Sequence, residues 1–474
     1  LKYGSKNVRA FYYSLPPTAK NLLASVYGWK ERRSRYGRTY QQSLSLLRES
    51  QHWSHERLLE FQHERISAFL PDAIGNTKYY RDRDLYSDLL NANASLRAFP
   101  LLDKASVRRE TKGFYHNNLS SLRCRWTSTS GTTGSAVLLP VSDDHFQREC
   151  AFRALAYEWA GVSLTGGDRV AFCAGHPVAD ADRQRAPFWV YDWANHWLYL
   201  SSYHLNKQNL RDYIVELEKF QPVMLGGYPS SLYVLALAYE KFGGGTLKLK
   251  AISSSSETLF DWQRAKIESA FGAKVFNYYG AAEACANIVE CETGELHLKL
   301  EHSAVEVLND RNQVCEPGET GRLVCTGFGN YAFPLIRYEM GDEVTVAKNQ
   351  TAKCGRGGML IDKIVGRVED YIVTPDGRFV GRLDHLFKDS ANVVEAQLFQ
   401  ENAAEVVCRI VKTDVYGIED ERAIVAEVRT RLGSAIKIRF EYLEHIPRTK
   451  TGKYRFIVSN LDQAKLLETL AQSP

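Results

Sequence analysis

The run Ser128-Thr129-Ser130-Gly131-Thr132-Thr133-Gly134-Ser135 sets hydroxyl side chains between glycines, a combination that can do chemistry. Glycine has no Cβ, so a loop built on it brings backbone N–H groups close to a ligand, and Ser and Thr add a rim of further donors. Such a surface suits an anion, and nucleotide phosphates are the usual occupant of a glycine-rich cradle. No Gly-x-x-x-x-Gly-Lys-Ser/Thr occurs in the chain, so the loop is not of the Walker type. Read alone, the same residues would also make a flexible linker. Three further stretches gather unusual residues: Gly226-Gly227-Tyr228, Ser254-Ser255-Ser256-Glu257 and Tyr279-Gly280-Ala281-Ala282-Glu283.

The elements around these stretches alternate. The pattern predicts helices over 143–159, 206–220 (with Asn206 as N-cap), 230–242 and 259–271, and strands over 168–174, 222–225, 249–253 and 274–279. Strands alternating with helices imply a parallel sheet covered on both faces, which binds ligands beyond the carboxyl ends of its strands. The three polar stretches fall at those ends. From about residue 295 the apolar period becomes two, at Leu296, Leu298, Leu300, Val305 and Val307, which reads as a smaller β region. Strands over 406–412 and 435–442 around a helix over 419–432 make a small α+β domain. The first hundred residues read as helical, with an apolar run over 44–70 that Pro71 should stop.

A chain of 474 residues exceeds one ordinary core, and its 44% hydrophobic and 24% charged content is that of a globular protein. The net charge of +4 makes no demand for nucleic acid as a partner. The first fifty residues are strongly basic and interleaved with Phe11, Tyr12, Tyr13, Tyr27 and Trp29; they would rest on an anionic membrane surface or form a solvated extension. The nine cysteines contain no Cys-x-x-Cys pair and read as reduced thiols. No apolar run reaches the ~18 residues of a membrane span. A cytoplasmic location is expected.

The hydroxyl loop, Tyr279 to Glu283, Arg337 to Asp342, Gly366 to Asp370 and Pro447-Arg448-Thr449-Lys450-Thr451-Gly452-Lys453 occur in an order and spacing that resemble the adenylate-forming, acyl-CoA synthetase-like superfamily. With Gly227-Tyr228-Pro229-Ser230, the chain is similar to the phenylacetate-CoA ligase and CapK-like branch, over roughly residues 100 to 460. The resemblance implies an α/β fold: a large amino-terminal domain with helix-flanked parallel sheets and a small β region, joined by a hinge to a small α+β carboxy-terminal domain. The expected parts are a helical extension over 1–99, the large domain over 100–366 and a mobile domain over 367–474.

The implied activity is that of an AMP-forming acid–thiol ligase, using ATP and Mg²⁺. A carboxylate attacks the α-phosphate of ATP, pyrophosphate leaves, and CoA or a carrier-protein thiol takes the acyl group. By the same resemblance Lys453 and Arg367 are catalytic, and Ser128, Thr129, Ser130, Gly131, Thr132, Thr133 and Gly134 cradle phosphates. Ser256, Glu257, Tyr279 and Gly280 border adenine, Asp342 accepts the ribose hydroxyls, Glu283 helps hold Mg²⁺, and Glu369 is the hinge. His176 and Tyr228, with the aromatic run 188–193, would line an acyl pocket for a small aromatic or otherwise flat acid, or be ordinary core. Two departures stand out: no lysine follows Gly134, and Ala282 stands where relatives carry Thr or Ser before the glutamate. They leave open an enzyme with a non-CoA acceptor (an amine, a hydroxyl, or AMP transfer, as in surface-polysaccharide or secondary-metabolite synthesis) and a non-catalytic nucleotide-binding protein.

Overall fold

In the computed structural model, residues 6–92, 94–128, 137–365, 371–381, 383–387, 390, 392–447 and 455–461 are described. A hairpin of β1 (Cys124–Ser128) and β2 (Leu138–Ser142) flanks the hydroxyl loop, with Ser128 opposite Leu138. Next come β3 (Val170–Ala174), β4 (Trp189–Asp192), β5 (Trp197–Ser201), β6 (Met224–Gly227), β7 (Ala251–Ser255) and β8 (Val275–Gly280). They are followed by β9 (Asn287–Glu290), β10 (Leu296–Leu298), β11 (Ser303–Leu308), β12 (Thr320–Gly327), β13 (Tyr338–Val346) and β14 (Met359–Val365). Strands β3 to β14 form one twelve-stranded sheet in the order β11-β12-β13-β14-β10-β9-β8-β7-β6-β3-β5-β4. The expected parallel set is there, β5, β3, β6, β7 and β8 running side by side. The expected smaller β region is there too, and it continues the same sheet, with β9 pairing antiparallel with β8. A chain-local pattern specifies a strand but not the edge on which it docks.

The helices Asp143–Trp159, Leu210–Phe220, Pro229–Phe242 and Asp261–Phe271 connect these strands. Pro229 opens its helix at the first position, where a missing N–H costs nothing, and Leu232, Leu235 and Ala236 are fully buried. The aromatic run at 188–193 is an edge strand, β4, antiparallel to β5. Phe188 stacks on His204 with centroids 4.9 Å apart, Tyr191 donates to the Glu216 carboxylate, and Trp193 is exposed, so the run does not line one pocket.

The amino-terminal segment folds as helices Lys6–Ser14, Pro17–Arg35, Arg38–Ser50, His55–Asn76, Lys78–Arg81 and Asp84–Asn91. The expected stop at Pro71 is overturned, since Pro71 lies inside His55–Asn76. Its neighbours Phe69, Leu70, Ala73 and Ile74 are buried, and burying large apolar side chains at about 1.5–3 kcal/mol each outweighs the ~3 kcal/mol cost of an interior proline. The basic start is not simply solvated. Tyr40, Leu44 and Leu47 pack with Phe152, Leu155 and Trp159, and Arg125 pairs with Glu31 at 2.8 Å. The helix Pro17–Arg35 nevertheless leaves Leu22, Leu23, Val26 and Trp29 exposed. No helix among the described residues is long and apolar enough to cross a membrane.

Beyond β14 follow the short hairpin β15 (Ile372–Val373) and β16 (Phe379–Val380), then β17 (Val393–Asn402), β18 (Glu405–Lys412), the helix Ile418–Leu432, β19 (Lys437–Tyr442) and β20 (Ile457–Ser459). The last four strands form a sheet in the order β19-β18-β17-β20, its core built on Leu398, Val406, Ile410, Ile424, Val428 and Ile457. Arg378 ties this unit to the large domain, donating to Tyr203 O at 2.5 Å and to Leu432 O at 2.6 Å.

Candidate functional site

The parallel strands β3, β6, β7 and β8 lie side by side, so their carboxyl ends form a row spanning roughly 14 Å at the usual strand spacing. Along it sit Gly175-His176, Tyr228, Ser256 and Tyr279-Gly280. The strands approach closely at Gly227, where an added Cβ would lie 2.4 Å from Cys173 O. Ser256 holds φ +73° and is exposed, a left-handed turn that ends β7 abruptly.

At one end of the row the side chains are charged and mutually bonded. Tyr279 Oη donates to Asp342 Oδ2 at 2.8 Å. Asp342 belongs to β13, four places from β8 in the strand order, so the sheet curls to bring the two together. Burial and the Asp342 charge push the Tyr279 phenol well above its ordinary range, and it stays a proton donor. In the loop after β8, Glu283 is buried; its Oε1 accepts from Tyr338 Oη at 3.2 Å and lies 3.6 Å from Lys104 Nζ.

Lys104 opens the short helix Lys104–Arg109, capped by Asp103, whose carboxylate accepts from Ser106 N at 2.6 Å. Leu102 is held to β13 by Leu102 N to Arg337 O and Glu339 N to Leu102 O, both 2.9 Å. Arg337, at φ +49°, fastens the same segment by donating to Arg97 O at 2.8 Å and Phe99 O at 2.6 Å. Thus Arg337 is a structural knot, and Lys104 is the cation it presents. Sequence reasoning missed Lys104, which stands in no motif; the missing lysine after Gly134 was the only hint that a cation had to come from elsewhere.

The other end of the row is aromatic. An added Cβ at Gly175 would lie 2.7 Å from Tyr203 Oη and 3.2 Å from Tyr228 Oη, so glycine there makes room for two phenols. The His176 ring stands edge-on to Tyr199 at 4.7 Å, and burial pushes its pKa down to about 4, keeping it neutral. Between the two ends, the Glu257 carboxylate accepts from Ser230 N at 3.2 Å, at the start of helix Pro229–Phe242, where the helix dipole favours it. Tyr371 and Gly381 lie against the same carboxylate, an added Cβ at Gly381 falling 2.8 Å from Oε1.

The structure therefore brings together Tyr279, Asp342 and Glu283 at one end and His176 and Tyr228 at the other, with Ser256, Glu257 and Gly280 along the row. Thr129, Ser130, Gly131, Thr132, Thr133, Gly134, Arg367, Glu369 and Lys453 lie outside the described residues, and only the backbone of Ser128 is described, as the end of β1.

Residues 372–460 match the model of the CapK C-terminal domain family. The chain is 26% identical over 462 residues to Protein CapK of Staphylococcus aureus, covering 95% of this chain and 99% of that one. It is 24% identical over 276 residues to a phenylacetate-coenzyme A ligase of Thermus thermophilus, covering 52% of this chain and 62% of that one. A solved 2-hydroxyisobutyryl-CoA ligase in complex with 2-HIB-AMP and CoA superposes with a TM-score of 0.56 at 19% identity, over 90% of this chain and 94% of that one. The same ligase in its postadenylation state gives 0.51 at 18% identity, with the same coverage. The chain has the fold of the adenylate-forming ligases, and its sequence likeness is to the CapK and phenylacetate-CoA ligase branch of that superfamily.

Proposed function

We infer that the protein is an ATP-dependent ligase that activates a small carboxylic acid as its acyl-adenylate and passes the acyl group to CoA or a carrier thiol. The observation that carries this reading is the Tyr279–Asp342 pair beside the Glu283–Lys104 pair, at the carboxyl ends of parallel strands. Asp342 accepts from the ribose hydroxyls, as an acceptor-only side chain can. The Tyr279 ring, fixed by its bond to Asp342, lies on one face of adenine, with Ser256, Glu257 and Gly280 bordering the other side. The loop Ser128 to Gly134 and Arg367 hold the phosphates.

Adenylation joins two anions, so its barrier is largely repulsion and alignment. Lys453, over the α-phosphate and the attacking carboxylate oxygen, relieves that repulsion. An ion pair at ~4 Å is worth about 4 kcal/mol at an effective dielectric near 20. Lys104 adds a second cation at the Glu283 side. Glu283 is a hard oxygen donor of the kind Mg²⁺ takes along with phosphate oxygens, and it would hold the ion there; bound Mg²⁺ supplies charge neutralisation of the phosphates. His176, Tyr203 and Tyr228 border the acyl group, and their rings favour an aromatic acid. Residues 367–474 rotate about Glu369 after adenylation to admit the thiol.

A panel of carboxylic acids assayed for pyrophosphate release, with Lys453→Ala as control, tests the reading. Turnover that the substitution abolishes while ATP still binds supports it. Silence with every acid while ATP binds overturns it and leaves a nucleotide-binding protein. A second reading, adenylation followed by transfer to an amine or hydroxyl, is favoured by the sequence likeness to CapK extending over 95% of this chain while that to phenylacetate-CoA ligase covers 52%. Mass analysis of the products separates the two, since an acyl-thioester excludes the second. The exposed Leu22, Leu23, Val26 and Trp29, in a helix that also carries Lys30 and Arg33, support peripheral contact with an anionic membrane. Sedimentation with anionic vesicles that is lost at high salt is the expected result; equal sedimentation with neutral vesicles counts against it.

A further inference from the structure

In the β9–β10 hairpin, which borders β8 in the sheet, four side chains of mixed chemistry converge. Cys291 follows β9, Glu295 precedes β10, His297 lies within β10, and Cys354 comes from the loop between β13 and β14. One ligand atom from each lies within 4.8 Å of those of the other three. Cys354 Sγ stands 3.3 Å from His297 Nε2, a separation two neighbouring ligands of one small ion have. Cys291 and His297 are fully buried, while Glu295 and Cys354 are partly exposed, which gives the cluster one open side.

The surroundings are organised around these groups. Gly294, at φ +89°, closes the hairpin turn that sets Cys291 against Glu295, with Cys291 N donating to Glu295 O at 2.9 Å. The Glu295 carboxylate accepts from Lys353 N at 2.9 Å and from Thr293 Oγ1 at 2.7 Å, which fixes its direction and joins the hairpin to the Cys354 loop. Arg356 Nη1 donates to both Glu292 carboxylate oxygens at 2.8 Å, the side chain also bonds the Cys354 thiol, and its guanidinium lies 4.3 Å from the Trp159 ring. The Lys299 ammonium lies over the same ring at 5.1 Å.

The geometry points to a structural zinc site made by Cys291, Glu295, His297 and Cys354. Two sulfurs, an imidazole nitrogen and a carboxylate oxygen are the donors tetrahedral Zn²⁺ takes, and the sulfurs disfavour Mg²⁺ or Ca²⁺. Two thiolates and a carboxylate around a divalent cation leave one negative charge, and Arg356 bonds the Cys354 sulfur that would carry part of it. Binding releases the two thiol protons to solvent and changes no oxidation state. The ion clips the β9–β10 hairpin to the loop ahead of β14, the strand that runs out of the large domain at Val365. A second buried group, His145, Glu149 and His302, offers no sulfur ligand; there the His302 ring pairs with the Glu149 carboxylate, and His145 Nε2 lies 3.6 Å from the same oxygen.

The full chain, expressed without a metal-chelating tag in zinc-supplemented medium, is tested by elemental analysis. About one zinc per chain is expected, falling at least fivefold in Cys354→Ala and in His297→Ala but unchanged in Cys315→Ala, a buried cysteine outside the cluster. Should those variants fail to fold, cobalt exchanged into the wild-type chain gives the second readout, thiolate-to-metal charge transfer with tetrahedral visible bands. Zinc absent from the purified chain, zinc retained in Cys354→Ala, cobalt without thiolate bands, or a Cys291–Cys354 disulfide in its place would each overturn the proposal. None of these readouts depends on adenylation activity.

Discussion

The two ends of the ligand row are built on different physics. At the β8 end, Tyr279, Asp342, Glu283, Tyr338 and Lys104 hold one another by charge-assisted bonds, with Glu283 and Tyr338 buried and the other three half-buried. At the β3 end, Gly175, His176, Tyr199, Tyr203 and Tyr228 fit by shape, and the one titratable base among them is held neutral. On the proposed reading, the first end meets the nucleotide, which is the same for every acid, and the second selects among acids. Errors at the first should therefore cost binding of every substrate, and errors at the second only the preference between acids.

The largest expected effect is at the charged end. If Asp342 holds two ribose hydroxyls as proposed, Asp342→Ala should cost two to four orders of magnitude in kcat/KM for ATP, at about 1.5–3 kcal/mol per bond to a charged group and equally for all acids. Tyr279→Phe, which deletes only the 2.8 Å bond to Asp342, should cost about tenfold or less. A larger loss in Tyr279→Phe than in Asp342→Ala would break the assignment.

The acid limb of stability comes next and belongs to the aromatic end. His176 has a native pKa of about 4 against 6.5 when free, so the unfolded chain binds the extra proton between those values. Its contribution is complete above pH 6.5 and is lost as pH falls toward 4. Denaturant titrations should show about 2 kcal/mol less stability at pH 4.5 than at 7 from this group, and His176→Phe should flatten the slope by that amount. An unchanged slope would mean that the ring is solvated.

Tyr228→Ala should alter the ratio of kcat/KM between a large and a small acid by about tenfold to a hundredfold, with KM for ATP unmoved. A change in ATP affinity would erase the distinction between the ends. The smallest effect is a gain. Ala282→Thr places a hydroxyl next to Glu283 at an exposed position, and on the proposed reading one bond to a phosphate oxygen at ~1.5 kcal/mol should raise turnover about tenfold. Reduced turnover would show that Ala282 is required for this chain's own ligand geometry.

Much of the molecule was legible locally. The helix expected over 143–159 is Asp143–Trp159, and that over 230–242 is Pro229–Phe242, because their apolar spacing and Pro229 act within a few residues. The strands ending at Ala174 and Gly227 were read within a residue or two, since continuous apolar runs mark strands buried on both faces. The edge pair β4 and β5 was not, because Trp, Tyr and Phe serve a strand, a core or a pocket equally well. Pro71 was misjudged for a related reason: propensity is a local cost, and the burial that exceeds it is not local. Likewise the cysteine spacing gave no metal signal, since Cys354 lies 57 positions from His297 and joins it only through strand pairing.

What the sequence settled by itself was the alternation of helices with the strands of the parallel set and the residue types at those strands' ends, because backbone period and turn chemistry are properties of neighbouring residues. Tertiary structure alone decided that the period-two strands extend the parallel sheet, that its curl sets Asp342 against Tyr279, and that Lys104 reaches Glu283. Those contacts depend on the accumulated twist of many strands, and no local spacing encodes that sum.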